Sequence, residues 1–582
     1  MEHLLRYSKT AIPFVLGIAV FFYFLLHAPG LIYFQEQNQL FLYNIDYSLQ
    51  TVMHPGGLAS YAGAFLTQFY VYAWSGAFIS ALLIVLVQLS VGKLLEKAGT
   101  KTEYLFLSVF PALMAWRFLC NENYLIAGIV AQLISLGTVL TVLSLRHKRW
   151  YPFFAGGIAL IVYFTAGGAF LLYLSLVLLY EMCKARQTKQ WLQLIFLLSV
   201  TLLLAIGLPL AAGTFLPYSY GQLFLGTGFY RYPMENYHFQ YIFWLLVFVI
   251  LITGPLLPQA KKARTVTVVT FGGFFMAVLA GFLLLNKAIE PSLEEALEYD
   301  HMASRQEWEQ IIRQSDKKSP STPISLTCLN LALVKTCTSE DKLFAYFQNS
   351  TEGLIPSFGG DFTSPLTTAE VFFHLGLINE AQHYVFEAME AIPDHQKSAR
   401  CIKRLAETNF INGKFSVAEK YLGILKQTLL YRKWAASATE ENHPEWALLR
   451  QYRLPDDEIF SSGNMQAILK NLVQHNPGNR DAFRYLMAHA LLNKDWDKIS
   501  EYYTLGSNNF TSVPWAYQQA LAFEWFQKKG NFTSVPWKLD DTIITGLQEF
   551  MKTLSVTSEQ QAKVVLEKPF GHTFWYYLFF IF

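Results

Sequence analysis

Apolar runs of membrane length fill the first 286 residues of the chain, and apolar positions at helical spacing fill the rest. With about 20 residues as the length that spans a bilayer, the first half divides into nine runs. They lie near 11–33, 75–95, 104–120, 124–145, 151–164, 167–183, 191–213, 239–257 and 265–286. Helices are expected for all nine, because a chain in lipid must satisfy its own backbone polar groups. The stretch from Tyr151 to Cys183 reads either as two short helices around Thr165-Ala166-Gly167-Gly168 or as one long tilted helix. The first run follows Arg6 and Lys9, stays apolar beyond the length of a leader and has no small-residue cleavage site, so it reads as a retained anchor.

Past residue 286 the periodicity changes to that of amphipathic helices packed in pairs. Gly376 and Ala381, followed by Tyr384, Ala388 and Pro393, have the small-aromatic-small-Pro spacing of the second helix of a tetratricopeptide (TPR) unit. Leu405 and Ala406, then Gly413, Phe415, Ala418, Tyr421 and Leu425, repeat it 37 residues later, close to the ~34-residue period of such repeats. A third unit runs from Phe483 through Leu486 and Ala490 to Trp496, Ile499 and Tyr503. Further helix pairs are expected over 325–350 and 515–565. The heptad Asn509–Trp515 recurs as Asn531–Trp537, which predicts equivalent turns entering successive helices, with Ser or Thr as cap and Pro in the first turn. The expected architecture is all-α: a polytopic transmembrane helix bundle of about nine spans followed by a soluble α-solenoid of TPR-like helical hairpins. The expected divisions are 1–286 for the bundle, with an interfacial loop at 34–74, 287–324 for a helical connector, 325–570 for the repeats and 571–582 for an aromatic tail.

Charge adds a direction. Residues 1–286 carry sixteen basic and eight acidic side chains, and fourteen of the basic ones fall in every second gap between apolar runs. The clusters are Arg6 and Lys9; Lys93, Lys97 and Lys101; Arg146, Lys148 and Arg149; Lys184, Arg186 and Lys189; and Lys261, Lys262 and Arg264. Only Arg117 and Arg231 fall in the other gaps. The positive-inside rule then predicts a cytoplasmic N-terminus and a tail on the outer face of the membrane. It also favours the hairpin reading of 151–183, since one long helix would reverse the side of every later cluster. The tail is acidic and lacks basic clusters, which excludes nucleic acid as a partner. The expected partners are the lipid bilayer and a protein bound to the repeats.

The outer segment Phe34–Trp74 begins with Gln35-Glu36-Gln37-Asn38-Gln39, continues as an amphipathic stretch through Asp46, breaks at His54-Pro55-Gly56-Gly57 and resumes as an aromatic-rich helix. Two interfacial helices joined at the Pro-Gly-Gly turn are predicted. An acid past the first span, an interfacial helix, a Pro-containing break and a second interfacial helix resemble the first outer loop of GT-C superfamily glycosyltransferases. The resemblance covers about 40 residues. It implies that Glu36 is the catalytic carboxylate, that Pro55, Leu58 and Tyr61 match the later element, and that a polyprenyl-phosphate-linked sugar is the donor; the outer face also offers Asp46 as a candidate catalytic acid, with Glu122 and Glu235. The superfamily favours Asp, often paired with a second acid, where this chain has Glu36 between glutamines. Such chemistry needs a base for the acceptor and cations for the departing phosphate. Arg231, Arg117, His54 and His238 are the candidate phosphate-binding groups. As a whole the chain also resembles bacterial polytopic membrane proteins of uncharacterised function with a repeat-containing tail.

Phosphate loops, metal-binding spacings and paired cysteines are missing from the sequence, so neither a cofactor nor a metal is expected. Cys328, Cys337 and Cys401 are odd in number in the outer half, and a Cys328–Cys337 bridge is disfavoured if both lie on one helix. Gly156-Gly157, Gly167-Gly168 and Gly272-Gly273 fall in apolar runs, where small residues allow close helix packing. Three functions follow as expectations: a scaffold or assembly factor of the cell envelope, the GT-C-like transferase, and a transporter, for which the runs supply little beyond Gln68, Gln88 and Gln132.

Overall fold

The computed structural model describes residues 2–146, 150–188, 191–225, 238–356, 363–393, 396–454 and 464–581. The described residues are 78% helix and hold no strand. It forms two compact units, one built mainly from Met1–Glu294 and the other mainly from Glu295 onward. The helices of the predicted connector, Pro291–Ser304 and Trp308–Lys317, contribute Tyr299, Met302, Ala303 and Ile311 to a core with Cys328, Leu329, Ala332 and Leu333. The second unit therefore begins inside the segment read from sequence as a link.

In the first unit, six described helices are long and apolar enough to cross a membrane: Lys9–His27, Ala73–Ala98, Ile126–Ser144, Tyr151–Lys184, Leu194–Phe215 and Arg264–Leu285. Gln240–Leu256 is a shorter apolar helix. Two predicted runs take other shapes. The first helix stops at His27, because Pro29 disfavours helical geometry at Ala28 (φ −146°, ψ 41°) and opens a new helix, Pro29–Gln37. The run at 104–120 becomes a 3-10 segment, Thr102–Ser108, followed by the short helix Val109–Leu119.

The stretch Tyr151–Lys184 folds back on itself. Helix Tyr151–Ala166 ends at Gly167 (φ 56°, ψ −138°), a conformation that only glycine adopts without strain, and Phe170–Thr188 returns beside it. Tyr173 donates to the Ala155 carbonyl at 2.7 Å, and Arg146 makes a two-pronged ion pair with Glu181 at 2.7 and 3.0 Å, so the two far ends meet. The turn is filled from outside. Gly56 N–H donates to the Tyr163 and Phe164 carbonyls at 3.2 and 3.1 Å, and a methyl on Gly56 would lie 3.2 Å from Gly167 Cα. The Pro-Gly-Gly turn of the 34–74 segment thus supplies a donor to carbonyls that the helix break releases.

Contacts sort the helix ends into two groups. Lys9 pairs with Glu96 at 2.6 Å, Tyr104 donates to the Pro258 carbonyl, Ala260 N–H donates to Glu103, and Lys93, Lys97 and Ser144 share one groove. At the opposite end the Gly56–Gly167 contact is joined by Gln35 with Glu122 and Tyr124, and by Tyr163 with Leu223. Glycines allow the close approaches. Methyls on Gly156 and Gly273 would collide with Val200 and Phe106.

The second unit pairs Thr363–Leu375 with Ile378–Glu390 and Met465–His475 with Arg480–Leu492, and between them Ala399–Ile411 is followed by Phe415–Lys426. Only one full helix, Pro323–Lys335, fills 325–350, and short turns follow it. The repeated heptads diverge in shape. Asn509–Trp515 runs into helix Trp515–Lys529 without a side-chain cap, whereas Asn531–Trp537 stays a turn, with Ser534 at φ 63°, and the next helix begins at Asp541 capped by Asp540. The aromatic end forms helix Phe574–Phe580 and packs into this unit, with Phe574 N–H and Trp575 Nε1 both held by Gln519 at 2.8 Å. All five cysteines are free, with Cys328 buried in mid-helix and Cys337 exposed just past the helix end.

Candidate functional site

The residues singled out from sequence separate into distinct places. Glu36 lies in the last turn of Pro29–Gln37 and is 7% exposed, so it is an interior carboxylate and not a solvated loop acid. Its neighbour Gln35 fixes the helix by donating to the Glu122 and Tyr124 carbonyls at 2.8 and 3.1 Å. The other end of this helix is held by Glu294, whose carboxylate accepts from Gly30 N–H at 2.5 Å and Leu31 N–H at 3.1 Å. A negative charge at that end suits the helix dipole.

Arg117, in the last turn of Val109–Leu119, is half-buried beside Cys120, which contacts the Tyr23 hydroxyl at 3.8 Å. Tyr23 and Cys120 thus meet at the end of the bundle that carries Pro29–Gln37. The small cavity next to it is lined by Gln35, Tyr70, Ser80 and Tyr124 and has about 10 Å³ of room, space for roughly one water.

Asp46 is exposed in the first turn of Ile45–Val52, whose start is capped by the Asn44 side chain accepting from Tyr47 N–H at 2.6 Å. No residue of that helix is buried, and Ile45, Leu49, Val52 and Met53 leave an exposed apolar stripe. Phe41, Tyr47, Tyr61 and Phe65 interlock behind it. His54 sits half-buried in the turn, with its ring 5.9 Å from Tyr218. Arg231 lies outside the described residues. His238 opens helix His238–Thr253, and its side chain is also outside them.

The most concentrated charge in the described interior was not foreseen. Asp300, 3% exposed, accepts from Arg400 at 2.5 and 3.1 Å and from Thr367 at 2.8 Å. Glu370 bridges Arg400, at 3.4 Å, to Arg404, which also holds Glu407 at 2.6 Å and lies 3.6 Å from the centre of the Phe373 ring. His374 stacks edge-on against Trp308 beside this network. Burial, reinforced by the Lys335 and Arg404 charges, holds His374 well below its ordinary value. His301 is pushed down to about 3 by burial and by Arg305 and Arg400. The available signal was Arg400, Arg404 and Glu407 at helical spacing on a face that also carries buried apolar residues. Buried charges of this kind occur when they are paired. Among the described residues no group of three or more His, Cys, Asp or Glu is placed to hold a metal.

Six membrane-length apolar helices joined to a second all-helical unit define an all-α protein of the multi-helix membrane class. The chain belongs to the family described as "Family of unknown function (DUF6057)", whose model matches residues 5–581. Neither the curated proteins nor the solved structures contain a match to it.

Proposed function

We propose that the protein is a multispan inner-membrane scaffold or assembly factor, with a cytoplasmic N-terminus and a periplasmic TPR-like tail that binds a protein partner in cell-envelope processes. The supporting observation is the segregation of charge between the two ends of the bundle. Lys9, Lys93, Lys97 and Arg146 gather at one end, and Arg117 lies at the other with the 28–74 segment. On this reading the folded-back stretch crosses twice, and Gln240–Leu256 and the 102–119 segment complete a set of nine crossings, beyond the six helices of full membrane length. An odd number carries the tail to the far side. Paired helices with aromatic contacts, such as Phe372 on Tyr384, suit the grooved surfaces through which helical repeats hold polypeptides.

A reporter enzyme fused after residue 300 is expected to be active only outside the cytoplasm, and cytoplasmic activity overturns the topology. Photo-crosslinkers at the exposed Phe347 and Phe415 are expected to trap one discrete polypeptide in cells. Failure at both positions removes the scaffold reading.

The burial of Glu36 favours a second reading, the GT-C-like transferase with a lipid-linked sugar donor. In it Glu36 acts as the carboxylate and Arg117 and Arg231 steady the phosphate, with His54 and His238 as further candidates. Turnover of a polyprenyl-phosphate sugar that Glu36→Gln abolishes supports it, and a full cellular role for Glu36→Gln removes it. A transporter is the weakest reading. Gln132 is held by Trp244 at 2.9 Å, Gln88 by Ser108 at 2.7 Å and Gln68 by the Phe65 carbonyl at 2.8 Å, so these polar groups serve helix packing.

A further inference from the structure

A groove of about 230 Å³ opens at the basic end of the bundle, between Lys9–His27, Ala73–Ala98 and the 3-10 segment Thr102–Ser108. Lys9 and Lys93 stand at one part of it with Glu96, and Pro13, Leu89 and Phe106 form apolar walls. Gln88, 6% exposed, also lines it, and its Oε1 has no hydrogen-bond partner although its Nε2 donates to Ser108. An interior amide oxygen without a donor is costly unless something else reaches it.

The Lys9–Glu96 pair leaves the charge of Lys93 in excess, and Lys97 adds to it from the adjoining groove that Lys93 shares. We propose that this groove is a binding site for one anionic glycerophospholipid. The phosphate meets Lys93 and Lys9, an acyl chain follows Pro13, Leu89 and Phe106, and a headgroup hydroxyl donates to Gln88 Oε1. A free phosphate matches only the lysines. The apolar walls and the deeper amide are what select a lipid. The inference rests on the membrane reading of the bundle and on charge complementarity at its basic end, where basic pockets between helices hold anionic headgroups.

The test uses the full chain, stripped of lipid in detergent and returned to nanodiscs of mixed phosphatidylglycerol and phosphatidylcholine. Native mass spectrometry then counts the lipids that stay bound. One phosphatidylglycerol is expected to remain on the unaltered protein. Lys93→Gln is expected to weaken its retention about fivefold, the effect of one lysine near a charged surface. Gly92→Leu keeps every charge and fills the groove, and is expected to abolish retention. A methyl there meets only Ser108, at 3.6 and 3.8 Å, so the helix can accept a side chain. Lys101→Gln, an exposed cation of the same end outside the lining, is expected to change nothing. Equal loss in Lys101→Gln and Lys93→Gln overturns the proposal in favour of diffuse attraction. Retention in Gly92→Leu overturns it outright, as does displacement by inorganic phosphate. Failure to enter nanodiscs at all would count against the membrane reading instead.

Discussion

Replacing Arg400 by Met isolates the cost of a buried charge left without its partner. The thioether approximates the length of the arginine stem, so the substitution removes charge and hydrogen bonds with little loss of volume. Asp300, 3% exposed, loses contacts at 2.5 and 3.1 Å and keeps only the Thr367 hydroxyl at 2.8 Å, while Glu370 loses its 3.4 Å contact and keeps Arg404. Removing one partner of such a pair destabilises by about 3–5 kcal/mol. Hydrogen exchange on the full chain in detergent reads this directly. Amides of Thr363–Leu375 and Pro291–Ser304 are expected to exchange roughly two to four orders of magnitude faster. The double variant Asp300→Asn, Arg400→Met no longer holds the stranded charge and keeps an acceptor for Thr367, so at least half of the protection is expected to return. An increase below about tenfold in Arg400→Met, or no recovery in the double variant, refutes the reasoning.

Three further outcomes follow from the same geometry. Acid is expected to weaken the second unit early. His301 and His374 have folded values below the unfolded ~6.5, so their contribution is complete above that pH and is lost as the pH falls below it, for His301 toward about 3. His301 removes about 2 kcal/mol by pH 5 and His374 acts in the same direction, and urea melts of His301→Gln, His374→Gln are expected to show a shallower pH slope; an unchanged slope contradicts the assignment. Gly167→Ala puts a side chain at φ 56° and 3.2 Å from Gly56 Cα, and is expected to lower the thermal midpoint in detergent by roughly 5 °C or more, whereas Gly157→Ala, with nothing within 4 Å, changes it little. Trp244→Phe leaves the buried Gln132 Oε1 without its donor and is expected to cost about 1–3 kcal/mol by the same melt.

Much of the architecture was written in local composition. Apolar length, the alternation of basic gaps and the 3.6-residue period are properties of neighbouring residues, so they mark membrane-length helices, a polar second half and its helix pairs without knowledge of what touches what. The Pro-Gly-Gly turn and the Gly167-Gly168 break were equally legible, because proline and glycine act on their own backbone. Legibility ended where an outcome needed a partner from far along the chain. The fold-back of Tyr151–Lys184 is completed by Gly56, more than a hundred residues earlier, and by Arg146 meeting Glu181. Two identical heptads took different shapes because each joins different neighbours, Trp515 opening a helix while Trp537 packs edge-on to Trp525. The burial of Glu36 and the gathering of Asp300, Glu370, Arg400 and Arg404 belong to the same class. A charged residue at helical spacing faces water or the interior according to the surface packed against it, and only the assembled tertiary structure supplies that surface.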